Sequence, residues 1–82
     1  MKVGEVTHYY DKIGVAIIKI ESPLKVGDHI QIKRDEETIV DQDVESMQVE
    51  KKQIEEAKKG DVIGLKVDTK VHEGMEVCKE SK

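Results

Sequence analysis

Apolar and polar residues alternate along this chain over short stretches, and turn residues separate the stretches. KVGEVTHYY (2–10) places Val3 and Val6 among polar neighbours, with Gly4 positioned for a bulge. Asp11-Lys12 is a two-residue polar break that predicts a hairpin. The partner segment, IGVAIIKI (13–20), is apolar on both faces and rich in β-branched residues. That is the pattern of a strand buried on both sides or of an inner barrel strand. Pro23 and Lys25-Val26-Gly27-Asp28 supply turn chemistry, because proline fixes φ and glycine admits a positive one. HIQIK (29–33) alternates cleanly, and the charged residues 34–37 form a predicted hairpin tip. The stretch 38–50 carries Ile39, Val40, Val44, Met47 and Val49 at uneven spacing, which predicts a strand with a bulge or bend.

KKQIEEAKK (51–59) has helical spacing, with Ile54 and Ala57 three apart and Lys51–Glu55, Lys52–Glu56 and Glu55–Lys59 at i,i+4. It is too short to stand as a helix, so one turn or an irregular loop is expected. Gly60-Asp61 repeats the Gly27-Asp28 turn ahead of a strand at 62–67, and Glu73-Gly74 precedes a last strand at 75–79. Gly27 and Gly60 are expected to hold positive φ. The polar tail, 79–82, is predicted to fray. Roughly six strands and no true helix imply an all-β fold, a small closed barrel of Greek-key type formed by residues 1–82 as one domain.

Size and charge narrow the functions available. Eighty-two residues give a folded surface of roughly 5,000 Å² with about 60% of the unfolded surface buried, enough for one thin core and no deep cleft. Fourteen Lys+Arg against 18 Asp+Glu leave a net charge of −4, which argues against tight non-specific binding to nucleic acid. Tyr9 and Tyr10 are the only aromatic residues, too few for a base-stacking platform. Cys78 is alone, so no internal disulfide forms. No leader pattern opens the sequence, and its longest apolar run, 15–18, is far too short to span a bilayer. A cytoplasmic protein with no membrane contact is expected.

Several segments carry a resemblance. Residues 49–65, VEKKQIEEAKKGDVIGL, resemble the late barrel segment of domain 2 of elongation factor Tu-like translational GTPases. Gly14-Val15-Ala16-Ile17 through Ser22, with Lys25-Val26-Gly27-Asp28-His29-Ile30, resembles that family's opening hairpin and its turn. Residues 71–79 resemble its closing strand. The resemblance implies a translation-factor barrel standing alone without its GTPase, and a contact with RNA around residues 48–62. Gln48, Lys51 and Val62 occupy the places of the Glu, Arg and Asn with which the family grips the aminoacyl end of tRNA. Only Lys51 keeps the charge, and Lys lacks the planar fork of Arg. Glu50 replaces a Phe, and Asp68 an Arg. The same barrel also occurs as a C-terminal module of collagenase-like peptidases, and fold alone does not fix function.

The residues themselves point away from catalysis. The residues after the glycines are Glu, Val, Asp, Asp, Leu and Met, so no phosphate-binding loop exists. The absence of Asn removes the guanine-reading motif, and no nucleotide is expected to bind. His8, His29, His72 and Cys78 lack metal-ligand spacing, and surface histidines with a packed thiol are expected instead, although His8 could face inward. Cys78 and Ser46 lack a nucleophile's setting. Asp41, Asp43 and Glu45 share one strand face, which reads as solvated or as able to meet a cation or a basic peptide. No cofactor and no metal are expected.

The basic residues Lys51, Lys52, Lys58 and Lys59, with Lys66 beyond, either meet RNA phosphates or form ion pairs with the interleaved Glu50, Glu55 and Glu56. The leading expectation is a non-catalytic translation-factor-like module that contacts RNA or a ribosome-associated partner through Gln48, Lys51, Lys52, Lys58, Lys59 and Val62. The other is a protein-interaction accessory subunit, or a detached barrel module of a larger enzyme such as a collagenase-like peptidase.

Overall fold

The computed structural model describes residues 2–79. It contains ten strands: β1 (Lys2–Tyr10), β2 (Val15–Ile20), β3 (Leu24–Lys25), β4 (His29–Arg34), β5 (Glu37–Asp43), β6 (Met47–Val49), β7 (Lys52–Ile54), β8 (Glu56–Ala57), β9 (Val62–Lys66) and β10 (Glu76–Lys79). No helix occurs among the described residues, so none is long and apolar enough to cross a membrane. Eight strands form one antiparallel sheet in the order β5-β4-β10-β1-β2-β9-β6-β7, and β3 and β8 pair separately.

Every long strand buries one face. Val3 and Val6 from β1, Ala16, Ile18 and Ile20 from β2, Ile30 and Ile32 from β4, and Ile63 and Leu65 from β9 meet in one cluster with Leu24, Met47, Ala57, Val71 and Val77. Burying each of the Val, Ile, Leu and Met side chains contributes on the order of 1.5–3 kcal/mol. The both-faces-apolar stretch at 13–20 resolves into an inner row and an outer one. Ala16, Ile18 and Ile20 point in, while Val15 and Ile17 lie half-buried on the outside. Ile13 falls before the strand, in the turn, and is exposed.

The expectation of a closed, roughly six-stranded barrel is corrected. The ladder ends at β5 on one side and β7 on the other, and these edges do not pair with each other. The cause lies at 44–46, where the chain leaves strand conformation. Val44 exchanges backbone hydrogen bonds with the preceding turn instead, its carbonyl accepting from Gly27 and its N–H donating to Asp28. That divides the expected strand 38–50 into β5 and β6. The Gln42 side chain spans the gap that results, its carboxamide donating to the Lys66 carbonyl at 2.9 Å and accepting from the Asp68 N–H at 3.1 Å.

The helix-like spacing at 51–59 is also corrected. Glu50 and Lys51 both hold positive φ, 50° and 69°, and make the two-residue turn of a β6–β7 hairpin in which Val49 pairs with Lys52. The anticipated i,i+4 pairs do not form, and Glu56 instead lies 3.8 Å from Lys25. Gly27 and Gly60 hold φ of 98° and 94°, as their turns require. In each turn the following aspartate accepts a hydrogen bond from a backbone N–H, Asp28 from Lys25 and Asp61 from Lys58, both at 2.9 Å. The register between β1 and β10 shifts between Lys2 and Gly4, placing a bulge there. Lys79, expected to fray, is the last residue of β10, and residues 80–82 lie outside the described part.

Candidate functional site

The outer face of β2 and β9 carries a shallow groove of about 680 Å³. Val15 and Ile17 supply its floor from β2, and Val62 and Gly64 from β9. Tyr10 and Ile13 flank it where β1 turns into β2, and the β6–β7 hairpin closes the other side with Gln48, Val49, Glu50 and Lys51. Three of the large hydrophobic side chains left exposed among the described residues line it: Tyr10 at 49%, Ile13 at 63% and Val62 at 50%. Single exposed apolar residues are ordinary, and here three of them sit together on one face.

Register builds the groove. Ile17 stands beside Gly64, Gly64 beside Gln48, and Gln48 beside Gln53, so one outward row crosses four strands. Within that row Gly64 supplies no side chain. A Cβ placed there would lie 3.4 Å from Val15 Cγ1, 3.8 Å from Ile17 Cδ1 and 3.9 Å from the Gln48 carbonyl oxygen.

Three of the six residues singled out from the sequence meet here: Gln48, Lys51 and Val62 all line the groove. Lys52 opens β7 one residue beyond the hairpin turn, and Lys58 and Lys59 lie in the turn just before Gly60, itself a lining residue. All three are exposed. Among the described residues no ion pair joins Lys51, Lys52, Lys58 or Lys59 to a carboxylate. Sequence reasoning missed Tyr10, Ile13, Val15 and Ile17. The signal was present in the two-sided apolar pattern of 13–20, whose outer half has no strand or helix over it.

The other candidates sort differently. His29, half-buried on β4, lies between two aspartates of β5. Its Nδ1 is 2.8 Å from Asp43 Oδ1, and its Nε2 contacts Asp41 Oδ1. Gln31 Nε2 reaches Asp41 from the same strand at 3.4 Å. Hydrogen bonds that the protonated ring donates to Asp43 and Asp41 raise the His29 pKa above its usual 6.5, against a smaller opposing effect of burial. The hydrogen bond to His29 lowers that of Asp41. The face carrying Asp41 and Asp43 is thus paired rather than simply solvated, while Glu45 is exposed beyond it. Among the described residues no group of three or more His, Cys, Asp or Glu is placed to hold a metal ion. His8 does not face inward: it is exposed, 3.4 Å from Glu73, with its ring edge-on to Tyr10. His72 is exposed, and Cys78 is a half-buried free thiol within the β10 ladders.

No family model matches this chain. It is 39% identical over 77 residues to a protein of Methanocaldococcus jannaschii named uncharacterized protease MJ0090. The match takes in 94% of this chain and 19% of that protein, so the chain spans about one fifth of the curated relative's length. Among solved structures it resembles the C-terminal domain of a Geobacillus thermoleovorans protein classed as a U32 peptidase. There the TM-score is 0.88 at 20% identity, covering 98% of this chain and 92% of that one. The selenomethionine variant of the same domain gives 0.86 at 19%, covering 94% and 96%. These matches overturn the resemblance to domain 2 of elongation factor Tu: the fold is that of the peptidase C-terminal domain. The shared motifs were chiefly Gly-Asp turns ahead of apolar strands, a local turn chemistry that unrelated β-sheets also use.

Proposed function

We propose that this chain is a non-catalytic docking module of a U32-type peptidase, a β-domain that attaches by its groove to the protein's catalytic body. The observation that carries this reading is the convergence of Tyr10, Ile13 and Val62 with Val15 and Ile17 on one uncovered face. The comparisons support it, since the solved relatives are terminal domains and the curated relative is about five times longer than the matched segment. The role calls for no nucleophile, base or metal. A cytoplasmic location goes with this reading, because Cys78 is a free thiol.

The test uses the Methanocaldococcus jannaschii protease deleted for the segment that this chain matches. The full chain is mixed with it, with and without ribonuclease, and sedimentation is followed. A stoichiometric complex that resists ribonuclease is expected. Ile13→Asp with Val62→Asp should weaken it by about tenfold or more, as buried charge at an interface does. Absence of a complex, or a complex indifferent to both changes, would refute the reading.

A further inference from the structure

We infer that the β6–β7 hairpin is a hinged wall of the groove and that Gln42 is the latch that holds its root. The inference uses the geometry of the groove and not its partner, so it stands or falls separately from the docking reading.

The hairpin is lightly tied to the rest of the sheet. β7 ends the ladder and pairs with β6 alone. β6 in turn meets β9 only where Met47 faces Leu65 and Gln48 faces Gly64, whereas β2 runs beside β9 from Val15–Lys66 to Lys19–Val62. The turn is built on Glu50 and Lys51 at φ of 50° and 69°, a conformation that costs non-glycine residues stability. Met47 is buried, but Gln48 and Lys52 are exposed, and Val49 and Ile54 are half-buried. A short ladder, an edge position and a strained turn put a segment at the low end of local stability. Downstream the hairpin is anchored, because the Val26 N–H donates to the Glu55 carbonyl at 2.9 Å and Leu24 pairs with Ala57.

Upstream the tie is made by a side chain. The chain crosses 44–46 outside strand conformation, so β9 has no strand neighbour on that side beyond Leu65. Lys66 and Asp68 lie two apart, the spacing at which an extended backbone turns its polar groups to the same side. Val67, between them, donates the other way, to the Gly14 carbonyl at 2.9 Å. Gln42 satisfies both groups on the open side: Nε2 donates to the Lys66 carbonyl, and Oε1 accepts from the Asp68 N–H. A carboxamide carries the donor and the acceptor of a peptide group, so it stands in for the missing strand. Among the described residues no other hydrogen bond joins β5 to β9 or to residues 67–68. Release of Gln42 therefore frees the link at 45–46 and lets β6 lift from β9 about the anchor at Glu55–Ala57. That movement carries Gln48, Val49, Glu50 and Lys51, the groove's outer side.

Amide hydrogen exchange on the full chain tests this with two variants. Gln42→Met is close in size and removes both bonds. Gln42→Glu keeps an acceptor for Asp68 and, when ionised, removes the donor to Lys66. Protected amides within residues 47–54 should exchange about fivefold faster or more in Gln42→Met, since one net hydrogen bond of ordinary strength is worth about that factor. Gln42→Glu should give the same pattern with a smaller rise. Amides of β1 and β2 should keep the parent's rates in both. Faster exchange confined to the Asp68 amide would show that Gln42 caps one group and latches nothing. An equal rise throughout β1 and β2 would mean a general loss of stability and would also overturn the latch. Should Gln42→Met fail to fold, the pattern in Gln42→Glu decides.

Discussion

On the outer face of β4 and β5, polar groups are turned toward one another. His29 lies between Asp41 and Asp43, Gln31 reaches Asp41, and Lys79 stands 3.3 Å from Asp28. On the outer face of β2 and β9, Val15, Ile17 and Val62 line a groove with no described strand or helix over it, and Lys51 at its edge makes no ion pair among the described residues. Both faces belong to one sheet and back onto one core, so the fold itself does not demand the contrast. A face that satisfies its own groups has little to gain from a partner. A face that leaves apolar area and unpaired cations open gains by covering them.

The largest expected effect separates the two sides of β2. Ile18 is fully buried, and its neighbour Ile17 lies on the groove floor. Ile18→Ala should cost about 2–5 kcal/mol through lost burial and a cavity. Ile17→Ala should cost less, about 1–2 kcal/mol, because part of its surface already meets water. Urea unfolding of both variants measures this. Equal losses would show that Ile17 is core and that the groove has no separate floor.

A smaller effect, of opposite signs, sits in the turns. Gly27 leads into the polar half and Gly60 into the apolar half, each at φ above 90° with open space where a Cβ would go. Gly27→Ala and Gly60→Ala should each destabilise by about 1 kcal/mol or more, from backbone strain alone. Lys51→Gly should do the reverse, stabilising by up to about 1 kcal/mol, since it relieves a non-glycine residue in the same region. Melting midpoints that fall for the first two and rise for the third are the expected outcome. A fall for Lys51→Gly would mean that its side chain supports the hairpin.

Much of the inner architecture could be read from the sequence, because it rests on local rules. Alternation located β1, β4, β9 and β10, and the Gly-Asp pairs located their turns. The β6–β7 hairpin could not be read. A turn with two positive φ values is ordinarily announced by Asn-Gly or Asp-Gly, whereas here Glu50-Lys51 adopts it under the constraint of flanking strands. The charges around it imitate helical i,i+4 spacing. Closure was misjudged for a related reason: strand count suggested a barrel, but Val44 prefers the turn at Gly27, a long-range choice that no local pattern encodes. Lys51, at the groove's edge, lies within the run of charges singled out from the sequence. The groove's apolar half was hidden within a run that reads equally well as a strand buried on both sides.

The smallest expected effect tests the self-satisfied face. The folded-state pKa of His29 lies above 6.5, held there chiefly by hydrogen bonds with Asp43 and then Asp41. Its contribution to stability is therefore complete below the unfolded value and is lost as pH rises through the folded one. Asp41 is shifted the other way, below 3.8, by its bond to His29. That contribution is present above the unfolded value and is lost as pH falls through the folded one. Together they place the best-held state of this face between the carboxylate range and the raised histidine value. Because His29 is only half-buried and both aspartates are exposed, the effect is modest and weakens with salt. Urea midpoints of the parent should therefore fall between pH 5.5 and pH 8.5 by an increment that His29→Asn lacks. Asp41→Asn should shrink that increment, and Gln31→Ala should leave most of it. His8 and His72 remain in every variant, so the difference between variant and parent isolates His29. A His29→Asn profile parallel to the parent's would show that the β4–β5 face is merely solvated, and would remove the contrast with the groove.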